Sequence, residues 1–439
     1  MPANALPITA PSYNERQQRR LGAGLTPQAI TGVMRRADTG YMDSLADLLD
    51  EARQADPHLH GDLAKREWTI AGAEYELRPV EGAPKRTMDR ALALCRDALG
   101  QLTVPAGSLA VSLRGCLAHL QGAVYHGRAA VEVQWARDGR YLLPRSLYPI
   151  HPRRLAWAAL DTWAMHVYDV TSPGRFNAFP GVPVDDPEVF PRGKLLVHLP
   201  RQFGAYPTRE GLGRGLVWYS AFKRWAVRDW LAFAEWAGRG LRVGKYATGR
   251  DPKNPARAND EDVDALRDAL DAMSSTVSIA IPDVTELSVV SATDNQVHAD
   301  LVKLCNSEMS KMVLGGTLTS DPGDRGARSL GEVHLAAATM LAHADAEMIA
   351  ETIRRDLLGP IVRENLGAGA PVPYFALAVD QTEDMNARSK RLAEYIDRGL
   401  QVPARWVRDL ESIPDPVEGE DVLGAPAAPP APPPPEGPP

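Results

Sequence analysis

Apolar residues recur at three- and four-residue spacing over much of the chain, and the breaks in that rhythm divide it into elements. In "YMDSLADLLDEAR" (41–53) Met42, Leu45, Leu48 and Leu49 fall on one helical face. The next stretch, "DPHLHGDLAKREW", opens with Asp56 as N-cap and Pro57 at the first helical position, where a missing N–H costs nothing. "WTIAGAEYELRP" (68–79) alternates and predicts a strand. Helices are predicted over 86–99 and 107–121, and strands over 130–136, 164–170 and 194–199, with a Pro-rich excursion at 173–191. This mixture predicts an α+β domain.

The texture changes at Gly211. "GLGRGLVWYSAFKRWAVRDWLAFAEWAGRG" carries four of the nine tryptophans; Trp218, Phe222, Trp225, Phe233 and Trp236 fall near one helical stripe, widened by Val217, Trp230 and Leu231. A helix apolar over so much of its circumference must be covered on several sides, by its own core or by neighbouring subunits. A small unit follows: a strand at 241–246, a helix at 259–273 with an Asn/Asp cap, and a hairpin-like pair, "TVSIAI" and "ELSVVS", around Pro282. A second long helix runs from about Asp294 to Leu314 and ends at Gly315 and Gly316, since glycine takes the left-handed cap geometry cheaply. Then comes the polar loop "GTLTSDPGDRGAR", and a third long, alanine-rich helix over 329–358 that Pro360 ends or kinks. "VPYFALAV" (372–379) predicts a strand, and two short helices broken near Gly399–Pro403 complete the ordered part.

Both ends read differently from the middle. Residues 1–24 are polar with scattered prolines, and 424–439, "GAPAAPPAPPPPEGPP", cannot bury a core; both are expected to be flexible. At 439 residues the chain has room for several domains, and its 44% apolar and 24% charged residues are ordinary for a globular protein. The net charge of −7 argues against a broad nucleic-acid grip. Cys95, Cys116 and Cys305 are scattered, which speaks against a disulfide framework or a zinc site and for buried thiols in a reducing compartment. No stretch has signal-peptide or membrane-spanning character, so assembly in a cytoplasm and no membrane contact are expected.

Catalytic signatures are absent: no phosphate loop, no G-x-S-x-G elbow, no H-E-x-x-H. "GLGRGL" lacks the full dinucleotide fingerprint and reads better as a flexible helix start. His58 and His60 in "PHLHGD", with Asp56 and Asp62, suggest metal, but positions i and i+2 point to different helix faces. His334 and His343 are too far apart for one site, and Asp380, Glu383 and Asp384 form a better helix start than a calcium loop. Basic residues gather at Lys223, Arg224, Arg228, Arg239, Arg242, Lys245 and Arg250, either a solvated helix face or a surface for phosphate or an acidic partner.

The order of these parts is itself a signal. "DPHLHGDLAKREWTIAGAEYEL", "GLGRGLVWYSAFKRWAVRDWLAFAEWAGRGLRVGKY", "DNQVHADLVKLCNSEMSKMVLGGTLTSD" and "VPARWVRDLESIPDPVEGEDVL" resemble the Mu-like group of tailed-bacteriophage portal proteins over most of residues 30–423. The resemblance implies a non-enzymatic ring, usually of twelve subunits, at one capsid vertex. It implies a wing at 25–215 resumed at 329–379, stem helices at 216–238 and 294–314, an α/β clip at 239–293, a tunnel loop at 315–328 and a helical crown at 380–423. The channel would admit double-stranded DNA driven by a large terminase, retain and eject it, and connect to a head–tail adaptor, with the major capsid protein and scaffold as further partners. No cofactor or metal is implied. Gly315, Gly316, Thr317, Thr319, Ser320, Arg325 and Arg328 would face the DNA channel. Lys223, Arg228, Arg239, Arg242 and Lys245 would be the basic residues of clip and stem, and Trp218, Trp225, Trp230 and Trp236 would pack between subunits. In the loop, Asp321 and Asp324 roughly cancel Arg325 and Arg328, which suits transit better than retention. Two other readings stay open on the residues alone: a cytosolic α+β metal-dependent enzyme built around 56–62, and an oligomeric DNA-binding scaffold.

Overall fold

Thr26 caps the first helix by accepting from the Ala29 amide, with Pro27 in the first turn. The computed structural model describes residues 25–158, 164–168, 181–204, 206–239, 242–248, 258–272, 278–282, 296–317, 327–379 and 385–411. In chain order the elements are α1 (Pro27–Asp38), α2 (Asp43–Ala55), α3 (Pro57–Gly72), β1 (Glu74–Arg78), α4 (Lys85–Gly100), α5 (Leu113–Gln121), α6 (Ala123–His126), β2 (Ala129–Asp138), β3 (Tyr141–Ile150), β4 (Leu155–Trp157), β5 (Met165–Val167), β6 (Val182–Pro183) and β7 (Leu195–His198). There follow α7 (Gly213–Arg239), β8 (Arg242–Tyr246), α8 (Asp260–Ala272), β9 (Ser278–Pro282), α9 (Gln296–Leu314), α10 (Ala327–Ile353), α11 (Gly359–Leu366) and β10 (Tyr374–Ala378). The chain divides into two units, Met1–Val379 and Asp380–Pro439, the second holding α12 (Met385–Asp397) and α13 (Ala404–Glu411). The fold is α+β, as the alternating patterns predicted. Among the described residues no helix is long and apolar enough to cross a membrane.

Two local expectations need correction, and one strand was not anticipated. The strand predicted over 68–79 is confined to Glu74–Arg78, because α3 continues to Gly72. Leu59, Leu63, Arg66 and Ile70 are buried at helical spacing, and this face, extended by Ala71, outweighs the alternation of "WTIAGA". The helix predicted over 107–121 begins only at Leu113, where Ser112 caps it by accepting from Gly115 N–H; Val111 instead bridges to Leu147. The sequence reading also passed over β3, whose Pro144 and Pro149 argue against a strand. The sheet order β3-β2-β7 removes the objection, since β3 lies at an edge, where a missing donor is tolerated, and the register shifts beside Pro144.

Two packed cores organise the first unit. In one, Ile70 of α3, Leu94 and Cys95 of α4, and Leu117 and Leu120 of α5 meet the β2–β3 sheet and Ile349 and Ile353 of α10. In the other, α1, α2 and the start of α3 pack on the small β4-β5-β6 sheet and on α7 and α9 through Leu45, Leu49, Trp157, Leu216, Val217 and Met309. The cysteines are packing residues: all three are buried, and burial pushes the Cys95 and Cys116 thiols up to about 12. β1 pairs antiparallel with β10, so the last strand of the unit closes onto its first. α10 does not stop at Pro360: it widens into a π turn at Arg354–Leu358 and resumes as α11 with the proline in its first turn. The widened turn relieves the clash a proline ring makes with the preceding helical turn.

Between the long helices, β8, α8 and β9 form a small βαβ unit in which β8 and β9 pair in parallel. Asn259 accepts from the Asp262 amide at 2.7 Å while the Asp262 carboxylate reaches back to the Asn259 amide, a reciprocal cap that explains the acidic start of α8. The first half of the expected hairpin around Pro282 is β9, which pairs in parallel with β8; its second half lies outside the described residues.

One buried histidine gives the fold a pH signature. His198, at the end of β7, is 2% exposed, and burial, with a smaller push from Arg355, lowers its pKa to about 4. Thr352 Oγ1 donates to the Met348 carbonyl, so it accepts from His198 Nδ1–H at 2.9 Å, which fixes the neutral tautomer. The unfolded chain takes up a proton near pH 6.5, whereas the folded chain resists until about 4. The unfolded state therefore binds more protons in that window, and stability falls as pH is lowered through it. Between pH 7.5 and pH 5 this group is expected to cost about 2 kcal/mol. Urea unfolding at the two pH values checks this, and His198→Gln should flatten the difference by that amount.

Candidate functional site

The loop singled out from the sequence lies in the chain between α9 and α10, and α9 is one of two antiparallel rods. α7 and α9 pack side by side; Gly215 at the start of α7 lies against Met312 at the end of α9, and Phe233 near the end of α7 lies 6.4 Å from the His298 ring at the start of α9. α9 closes where expected. Gly315 N–H donates to the Lys311 carbonyl at 3.0 Å, and Gly315 adopts φ 75°, the left-handed cap. Gly315 is exposed, Gly316 is buried and Thr317 is half-buried. Thr319, Ser320 and Arg325 lie outside the described residues. Arg328 is not a loop residue: α10 already starts at Ala327, two good helix formers extending it by about half a turn beyond the predicted start.

The predicted basic group is dispersed. Lys223 is held by Asp56, Nζ to Oδ1 at 2.7 Å, inside the packed junction of α7 and α3. The same carboxylate caps α3, accepting from His58 N–H and Leu59 N–H. Lys223 is thus a structural partner and not a member of an open cationic face. Arg224 pairs with Glu51 at 3.4 Å and Arg228 with the adjacent Asp229 at 2.9 Å. Lys245 is exposed on β8, while the side chains of Arg239 and Arg242 lie outside the described residues.

Trp218, Trp225 and Trp230 do not form the core stripe of α7. That stripe is Leu216, Val217, Ser220 and Ala221, all buried. Trp218 and Trp225 flank it, packed against their own subunit's core and linked through Phe222 at centroid distances of 6.0 and 5.8 Å. Trp225 Nε1 also donates to the Leu25 carbonyl at 3.0 Å. Trp230 is half-buried, and the Trp236 side chain is outside the described residues. What α7 leaves open is Phe222, Val227 and Leu231, the last 64% exposed. α9 leaves open Val297, Leu301 and Leu304, at spacings of four and three, with Val297 63% and Leu304 54% exposed. Two adjoining rods therefore carry an uncovered apolar face in a single copy.

Sequence reasoning missed the polar seam between α3 and the second half of α9. His58, Asp62 and Arg66 recur every four residues along α3 and face α9. His58 Nε2 lies 2.8 Å from Ser310 Oγ and 3.0 Å from the Asn306 carbonyl, and Ser310 donates to Asp62 Oδ2 at 2.6 Å. Lys65 pairs with the other Asp62 oxygen at 3.2 Å. Arg66 donates to the Val313 carbonyl at 2.7 Å and forks onto Asp345 of α10 through Nε at 2.7 Å and Nη2 at 3.0 Å. The signal was present: an arginine at helical spacing within the apolar face Leu59, Leu63, Ile70. The "PHLHGD" motif is absorbed by capping and by this seam. His60 is exposed and points away from it, and among the described residues no group of three histidine, cysteine or acidic side chains is placed to hold a metal ion.

"GLGRGL" also acquires a definite role. Gly211 has φ 89°, and a Cβ there would lie 2.3 Å from the Gly127 nitrogen; a Cβ on Gly213 would meet Leu49 and the Tyr125 carbonyl at 2.7 Å. The glycines permit close approach of two backbones, which corrects the reading of a flexible helix start.

Residues 46–411 match the family described as the portal protein of Mu bacteriophage. The chain is 28% identical over 414 residues to the portal protein of Escherichia phage Mu, covering 93% of this chain and 75% of that one. It is also 28% identical over 411 residues to the Mu-like prophage FluMu protein gp29 of Haemophilus influenzae, covering 91% and 73%. Among solved structures it resembles a chain in the neck of a native GTA particle computed with C12 symmetry, with TM-score 0.50, 15% identity, and 90% of this chain and 96% of that one covered.

Proposed function

Because this chain belongs to the Mu bacteriophage portal family, whose members are structural virion proteins and not enzymes, we propose that it closes into a ring of twelve copies at one capsid vertex and forms the channel for the genome. The observation that carries the reading is the pair of antiparallel rods α7 and α9, which expose apolar residues along their length, with α9 ending in the left-handed cap at Gly315. A single copy leaves those residues in water; a ring covers them by setting the rods of one copy against the next. Twelvefold symmetry is supported by the C12 neck particle that the fold resembles.

In this reading the wing comprises 25–215 and 329–379, the stem 216–238 and 294–314, the clip 239–293, the tunnel loop 315–328 and the crown 380–423. Double-stranded DNA passes along the stem, driven by a separate large terminase that docks on the clip, and a head–tail adaptor takes that place after packaging. The major capsid protein and scaffold meet the wing. DNA is retained and later ejected through the same bore. A loop with nearly balanced charge touches many phosphates in succession without gripping them, because tight binding requires net neutralisation of several phosphates at once.

Negative-stain microscopy of the purified full chain tests the reading. Rings with a central hole are the expected result. A chain that stays monomeric under every assembly condition, or a Gly315–Thr317 segment buried away from any pore in the assembled particle, would overturn it.

A further inference from the structure

We propose that Arg66 is the positioning residue of the tunnel loop: from a helix outside the loop-bearing hairpin it ties the strut entering the loop to the strut leaving it. The inference rests on the portal reading for its functional consequence, but its structural part stands alone. Val313 is in the last turn of α9, where carbonyls have no intrahelical partner, and Arg66 Nη1 supplies one at 2.7 Å. The remaining face of the guanidinium forks onto Asp345, on the helix that departs from the other end of the loop. Gln121 of α5 donates to the same carboxylate at 2.5 Å, so Asp345 is fixed from two sides. Arg66, Asp345 and Gln121 are 8%, 3% and 1% exposed, which keeps water from competing for these bonds.

The chemistry requires arginine. One planar group must satisfy a carboxylate with two parallel donors and a carbonyl with a third, a geometry lysine cannot reproduce from a single nitrogen. Immediately beyond this clamp the chain turns at Gly315, whose Cα faces Leu341 and Ala337 of α10; a Cβ there would lie 3.2 Å from Leu341 Cδ1. The position of the turn therefore depends on the spacing of α9 and α10, and Arg66 sets that spacing. A purely structural ion pair could be exchanged for apolar side chains at little cost, as buried pairs often can. The positioning role could not, because the Val313 carbonyl would lose its donor.

The test uses the full-length chain as wild type, as Arg66→Lys, and as the double variant Arg66→Met/Asp345→Leu. Three measurements are made: ring yield by microscopy, amide hydrogen exchange over Gly315–Thr317, and the fraction of DNA-filled particles when the variant is the sole source of the protein. The double variant is expected to form rings within about twofold of wild type while exchange at Gly315–Thr317 rises about tenfold and filled particles fall by a similar factor. Arg66→Lys should move both readouts in the same direction by a smaller factor, and it decides the matter if the double variant does not fold. Wild-type exchange in these variants, or wild-type filling despite faster exchange, overturns the proposal. If the wild-type chain itself forms no rings, the portal reading fails, whereas the exchange comparison still reports whether Arg66 holds the turn.

Discussion

Gly211→Ala is expected to remove on the order of 4 kcal/mol of stability, enough to abolish soluble expression of a marginally stable chain. Two costs coincide at this residue. Its φ of 89° lies in the left-handed region, which strains any side-chain-bearing residue. The added methyl would also sit 2.3 Å from the Gly127 nitrogen and 2.7 Å from the Tyr125 carbonyl, backbone atoms that cannot rotate aside. Gly127 is caught reciprocally, at φ 79° with a Cβ position 2.3 Å from the Glu210 carbonyl oxygen. The crossing places the start of α7 against α2 and α6, so relief by movement would pull Leu216 and Val217 out of their core. Thermal unfolding of Gly211→Ala beside Gly139→Ala checks the size of the effect. Gly139 also has a positive φ, but nothing lies within 4 Å of its Cβ position, so the control isolates backbone strain from collision. Equal losses in the two variants would show that the crossing is looser than described.

Leu304→Asp is expected to leave the single copy folded and to prevent ring formation. The residue is 54% exposed on α9, in line with Val297 and Leu301, so its replacement in one copy should change stability by no more than about 0.5 kcal/mol. In the proposed ring the same position is covered by a neighbour, and a carboxylate there is buried without a partner at a cost of several kcal/mol. That cost recurs at every interface. The association constant for each contact should fall at least about a hundredfold, since each 1.4 kcal/mol is a factor of ten. Sedimentation velocity should show wild-type rings and variant monomers at equal concentration, with identical far-ultraviolet circular dichroism. Rings of normal size from the variant would place this face toward solvent or the bore and require a different surface to close the annulus.

The positions of most long elements were legible because each has a strong local signature. α2, α4, α7, α9 and α10 follow apolar spacing, and Asp56–Pro57, Asn259 and Gly315 mark ends with capping chemistry that depends on a few neighbouring residues. The loop between α9 and α10 was visible for the same reason. The misread segments are those where a distant neighbour reverses a local preference. Pro144 and Pro149 argue against a strand until β3 is known to be an edge, and the alternation at 68–73 reads as extended until the buried face of α3 is known. The basic cluster on α7 looked like one surface because its members are close in sequence, yet Lys223 turns to Asp56, and Arg224 to Glu51.

The sequence by itself determined the family, the α+β class, and the order of strand-rich domain, long helix, small inserted unit, long helix, glycine-bounded loop and long helix. These follow from periodicity and capping, which act over a few residues and leave their mark in composition. Only the tertiary structure decided which charges are tied up, which apolar residues stay open, and why Arg66 matters. Its partners Val313 and Asp345 are respectively 247 and 279 positions away along the chain, and a hydrogen bond depends on distance in space, not on separation in sequence.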